Sequence, residues 1–136
     1  MDLIRSISIA ASGLKAESGR MRVISENIAN ADSTARTPGG DPYRRKIPTF
    51  DSQLDPDLDA RTVSLGRIQR DTSSFRLDYQ PGNPMADAKG YVKMPNVNPL
   101  VEQMDMREAQ HAYEANLNVI GAARRMIART LDILKG

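Results

Sequence analysis

The stretch from Asn98 to Gly136, NPLVEQMDMREAQHAYEANLNVIGAARRMIARTLDILKG, restricts the fold more than any other part of the chain. Beyond Pro99 it has no proline, and before its last residue it has one glycine, Gly121. Met106, Tyr113, Ile120, Ile127 and Leu134 recur at every seventh position. Heptad recurrence without a helix breaker predicts one long amphipathic helix. Asn98 can cap it through its side-chain oxygen, and Pro99 suits the first helical position because the N–H it lacks has no partner there. At about 1.5 Å per residue the helix is roughly 55 Å long. A compact domain of this size has a radius of gyration near ~14 Å and a diameter of roughly 37 Å. The helix overruns that diameter, which predicts an elongated molecule that relies on neighbours.

On a helical wheel Met106, Ala109, Tyr113, Leu117, Ile120, Ala123, Ile127, Leu131 and Leu134 form one apolar stripe. Ala112, Val119, Met126 and Ile133 form a second beside it, and the two together span roughly 200°. One partner helix cannot cover such an arc, so the terminal helices are expected to be largely disordered alone and to order on assembly.

The beginning of the chain repeats the pattern. From Asp2 to about Asn30, Ile7, Leu14, Met21 and Ile28 share one heptad position, and Leu3, Ala10, Ile24 and Ala31 flank it. Asp2 can cap this helix, while Gly13 and Gly19 weaken it by about 1 kcal/mol each relative to alanine. The predicted fold is therefore mainly α. Long N- and C-terminal helices, within residues 1–33 and 98–136, pair as an elongated coiled coil, with a small irregular and β-containing excursion over 34–97. A helical hairpin carrying a large loop is the other arrangement compatible with the pattern.

Within the excursion, Pro38, Pro42 and Pro48 with Gly39 and Gly40 forbid regular helix and predict a tight turn at the two glycines. Tyr43, Arg44, Arg45 and Lys46 form its one aromatic and basic run, which suits a docking loop, a nucleic-acid contact or a solvated turn. Asp55, Asp57 and Asp59 have the alternation that opens a calcium loop. Ala60 stands where that loop needs glycine and Gly66 where it needs a bidentate glutamate, so the reading fails and an acidic turn remains. Val63 and Leu65 alternate with polar residues, as do Phe75, Leu77 and Tyr79. These runs predict a short hairpin or two edge strands, with three strands at most.

Catalytic and cofactor chemistry finds no constellation here. The chain has no cysteine and one histidine, His111, on the predicted C-terminal helix, so zinc sites and Cys–His pairs are excluded and a surface histidine is expected. No phosphate-binding glycine loop or nucleophile elbow occurs. Nineteen basic residues against 17 acidic ones give no field that gathers nucleic acid, and no apolar run is long enough to span a membrane. The head MDLIRSISIAASG is interrupted by Arg5 and Ser6 where a secretory signal needs an unbroken apolar core. An enzyme is not expected, and neither is any cofactor or metal.

Four blocks, ENIANADST at 26–34, TPGGDPYRRK at 37–46, ADAKGYVKMPNVN at 86–98 and DMREAQHAYEAN at 105–116, resemble bacterial flagellar basal-body rod proteins, most closely the proximal-rod members. The resemblance runs from end to end. It implies a structural subunit, exported through the flagellar type III apparatus without a cleaved signal, that polymerises into the rod crossing the periplasm and carries torque from motor to hook. The implied partners are further copies, the other rod proteins, the hook–basal body adaptor protein and the MS ring. Asn27, Asn30, Asn96, Asn98, Glu114 and Asn116 belong to the matching blocks, with Asn27 and Asn30 expected to tie down the end of the first helix. Asn83 and His111 depart from the family pattern, which commonly has histidine and arginine there. Ile7, Leu14, Met21, Ile24 and Ile28 with Met106, Tyr113, Leu117, Ile120, Ile127, Leu131 and Leu134 are the expected packing residues between subunits. Tyr43 to Lys46 are expected to dock the loop onto a neighbour. A soluble coiled-coil adaptor bridging two partners is the competing function, and a nucleic-acid-binding helical protein is a third.

Overall fold

The computed structural model describes residues 2–136. Helix α1 covers Leu3–Ala29 and helix α2 covers Pro99–Lys135. Six short strands lie between them: β1 Lys46–Ile47, β2 Phe50–Asp55, β3 Ala60–Leu65, β4 Gln69–Arg70, β5 Arg76–Tyr79 and β6 Tyr91–Met94. The expected plan of two long terminal helices around a small β-containing middle is the plan observed.

Both helices start where local chemistry says they should. The Asp2 carboxylate accepts from the N–H groups of Ile4 at 3.0 Å and Arg5 at 3.3 Å. The Asn98 side chain accepts from Leu100 N–H at 3.1 Å, with Pro99 in the first helical position. Each cap satisfies donors that the helix itself leaves without partners.

The β content differs from expectation. Three antiparallel pairs form instead of at most three strands, and the two alternating runs do not pair with each other. β3 pairs with β2, whose residues Asp51 and Asp55 have an acidic look that masks a strand, while β5 pairs with β6 and β1 with β4. Strand preference here comes from cross-strand neighbours, which a local pattern does not contain.

The chain divides into two compact units. The first comprises Met1–Met21, Thr49–Arg67 and Arg107–Gly136. Inside it the two helices approach through small residues: Ala10, Ala16, Ala109 and Ala123 are all buried. At Gly13 a methyl group would lie 2.6 Å from Asn116 Nδ2, and Arg20 reaches Glu108 at 3.4 Å, so α1 and α2 run antiparallel here. The β2–β3 hairpin lies on another flank of α1. Ser12 Oγ accepts from Val63 N–H at 3.2 Å, and Leu65 sits where a side chain on Gly19 would go. Gly13 is therefore the cost in helix propensity that permits close helix approach.

The second unit comprises Arg22–Pro48 and Ile68–Met106. Its core is Val23, Ile24, Ala31, Val92, Met94 and Val97. Thr37–Gly40 closes a turn through Gly40 N–H to Thr37 O at 3.0 Å, with Gly39 at φ 70°, a conformation that favours glycine.

A buried polar junction and the exposed apolar surfaces

The second unit is held together by a polar cluster centred on Asn27, which is completely buried in α1. Its carboxamide nitrogen donates to Lys46 O at 2.8 Å and to Glu102 Oε2 at 3.1 Å. Its carboxamide oxygen accepts from Lys46 N–H at 3.0 Å and from the Tyr43 hydroxyl at 2.7 Å. All four hydrogen-bonding positions of the side chain are used. Bonding both the N–H and the C=O of one residue makes the carboxamide act as a strand neighbour to Lys46, on the opposite side of β1 from β4.

Glu102 is 1% exposed in the first turn of α2, and a lone carboxylate there would be costly. The Arg45 guanidinium pairs with it through Nε. Other Arg45 nitrogens lie 3.4 Å from Asp71 Oδ2 and 3.5 Å from Asp105 Oδ2. Burial opposes the charge of Arg45, but the hydrogen bonds and attraction of Glu102 and Asp71 outweigh it and its pKa rises. Burial also pushes the Tyr43 phenol up to about 12, with the nearby Glu26 and Glu102 carboxylates adding to the effect. Two hydrogen bonds from Ser73, one of them from its backbone N–H, hold the Asp71 carboxyl below its ordinary value.

Asn96 extends the cluster, accepting from Arg45 N–H at 2.8 Å and donating to Asp71 O and Ser73 O. Arg44 donates to the same two carbonyls and stacks over Phe75, 4.2 Å from its ring centroid. Lys46 pairs with Glu26. The four residues Tyr43 to Lys46 thus spend their polar groups on their own chain. Asn30 Nδ2 donates to Glu26 O at 2.9 Å at the end of α1, and Asn116 Nδ2 to Ala112 O within α2. The parts of Glu102 and Asp71 were not foreseeable. Glu102 has the sequence signature of an ordinary first-turn acid, and Asp71 lies in an unremarkable RDTS loop.

In the first unit Glu17 is also nearly buried, and its pKa is raised. Burial is the main cause, repulsion from Glu108 adds to it, and Arg20, 3.7 Å away, partly offsets both. His111 and Glu114 are exposed. Of the heptad positions, Ile24 is buried. Ile7, Leu14, Met21, Ile28, Met106, Tyr113, Ile120 and Ile127 are half-buried, and Leu117, Leu131 and Leu134 are exposed. Val119, Met126 and Ile133 add to the exposed apolar side of α2. Surface of this kind is characteristic of chains that meet other proteins. Among the described residues no cluster of side chains suits a metal ion, and no helix is long and apolar enough to cross a membrane.

Two family descriptions match the chain: "Flagella basal body rod protein" over residues 7–36 and "Flagellar basal body rod FlgEFG protein C-terminal" over 88–133. Named relatives match it from end to end. The flagellar basal-body rod protein FlgC of Agrobacterium fabrum is 52% identical, covering 99% of this chain and 98% of its own length. That of Yersinia enterocolitica is 40% identical over 98% of both chains. That of Bacillus subtilis is 37% identical, covering 99% of this chain and 100% of its own.

Proposed function

The chain belongs to the FlgC family of flagellar basal-body rod proteins, and on that premise we propose that it is a structural subunit of the proximal rod, required for flagellar motility, and not an enzyme. The observation that carries this is 52% identity to a FlgC protein over nearly the whole of both chains. The exposed apolar side of α2 supports it, because a subunit that buries its helices against neighbours must present such surface before it assembles.

The finer reading is that α1 and α2 form the assembling part, pairing as a coiled coil and packing on the helices of adjacent subunits to transmit torque. Ile7, Leu14, Met21, Ile24 and Ile28 of α1 with Met106, Tyr113, Leu117, Ile120, Ile127, Leu131 and Leu134 of α2 are the packing residues. The neighbours are other rod proteins, the hook–basal body adaptor protein and the MS ring. Delivery is through the flagellar type III apparatus, and the rod crosses the periplasm. The antiparallel approach of the helices at Gly13 and Asn116 supports this arrangement. A soluble adaptor has no observation in its favour.

Mass spectrometry of hook–basal bodies purified from the source bacterium tests the reading. The expected result is enrichment of this chain with other rod proteins after detergent and salt washing. Its absence from intact rods would remove the structural role.

A further inference from the structure

Two exposed surfaces of the first unit are opposite in charge, and both carry apolar side chains. The first is the end of α2, where Met126 and Leu131 are half exposed and Ile133 and Leu134 are 79% and 77% exposed. Arg124, Arg125, Arg129 and Lys135 surround them, with Asp132 the one acid. Among the described residues none of these four cations enters an ion pair.

The second is the β2–β3 hairpin. Its register sets Phe50 opposite Leu65, Ser52 opposite Val63 and Leu54 opposite Arg61, so these side chains share one face. Phe50 and Leu54 remain 43% and 61% exposed on it. The hairpin carries four aspartates against Arg61. Asp55 is committed to the turn, accepting from the N–H groups of Asp57 and Leu58. Asp51, Asp57 and Asp59 are exposed and unpaired among the described residues.

The hairpin and α2 lie on different flanks of α1. Helix α2 meets it at Gly13 and Arg20, the hairpin at Ser12 and Gly19, and each one-residue step turns the helix by about 100°. A patch that binds an unlike patch makes a heterologous contact, which repeats from copy to copy instead of closing on itself at once. We propose that the β2–β3 hairpin of one copy docks on the Arg124–Lys135 end of α2 in a second copy. Leu54, at the turn end of the hairpin, covers the exposed Leu131 and Leu134, while Asp57 and Asp59 of the turn face Arg124 and Lys135, which share that side of α2 at about 100° per residue. The apolar pairs supply burial and the charges set register and partner choice. This contact rests on the reading of the chain as an assembling subunit and names which of its surfaces meet.

The test uses two variants of the full chain, Arg124→Glu/Lys135→Glu and Asp57→Lys/Asp59→Asn, followed by sedimentation velocity over a concentration series at low salt. Every substituted position is exposed, and far-UV circular dichroism checks that helix content is kept. Each variant alone places like charges against each other and is expected to self-associate at least about tenfold more weakly than the unaltered chain. An equimolar mixture restores association, since each variant then offers the charge the other lacks, and salt weakens the restored contact. Three results overturn the proposal: an unaltered chain that stays monomeric, a variant that associates as well as the unaltered chain, or helical variants whose mixture shows no rescue. The last result, combined with loss of the Arg124→Glu/Lys135→Glu variant from rods, would assign the basic end to a different protein. Failure of the subunit reading itself is seen separately, as absence of the chain from purified rods.

Discussion

Asn27 and Tyr43 are the residues on which the second unit turns. Replacing Asn27 with alanine leaves the Lys46 peptide, the Tyr43 hydroxyl and the Glu102 carboxylate each short of a partner in a buried place. A loss of about 3 kcal/mol is expected, from unmet buried groups more than from the bonds themselves. Urea titration should register it as a lower midpoint, and hydrogen exchange at the Lys46 amide should quicken. The Tyr43 phenol gives a pH signature. With its pKa raised from 10 to about 12, the folded chain keeps the proton that the unfolded chain releases. Its contribution is whole below pH 10 and is lost as pH climbs toward about 12. Melting temperatures measured across that window should fall for the native chain and fall less for Tyr43→Phe. The sequence exposed these residues only in part. Asn27 was expected, with Asn30, to tie down the end of α1, and its partners Lys46 and Glu102 lie 19 and 75 residues away. No local rule connects residues so far apart.

The helices were the legible elements. Proline at a first position, asparagine and aspartate caps and heptad spacing act within a few residues, and α1 and α2 begin where those signals stand. The strands were less so. β1 and β4 are two residues each and are set by their pairing, Lys46 with Arg70 and Ile47 with Gln69, which an isolated dipeptide does not announce. Gly13 shows the same limit, since composition marks it as a weak point in a helix while the structure makes it a point of contact. Gly13→Leu should force Asn116 and α2 away and cost at least about 2 kcal/mol despite the better helix propensity of leucine. Circular dichroism melting at 222 nm measures it. Recovery of the melting temperature by Asn116→Ala in the same chain would tie the loss to that contact.

At the scale of the whole molecule, the half-buried heptad residues have capacity left for neighbours. Ile120→Asp puts a carboxylate on the α2 side that also exposes Leu117 and Val119. It is expected to abolish swimming in soft agar while immunoblots show ordinary amounts of the chain, and normal swimming would take Ile120 off the packing surface. The buried junction matters here in a mechanical sense. A helix transmits twist only if it cannot roll in its bed, and apolar contacts are forgiving of roll because one methyl group replaces another. The Asn27 carboxamide is not forgiving, because one residue of slippage turns it by about 100° and removes its four hydrogen bonds together. In that respect it serves as a key in a keyway, fixing the angular position of α1 against β1 so that a load on either reaches the other without lost motion.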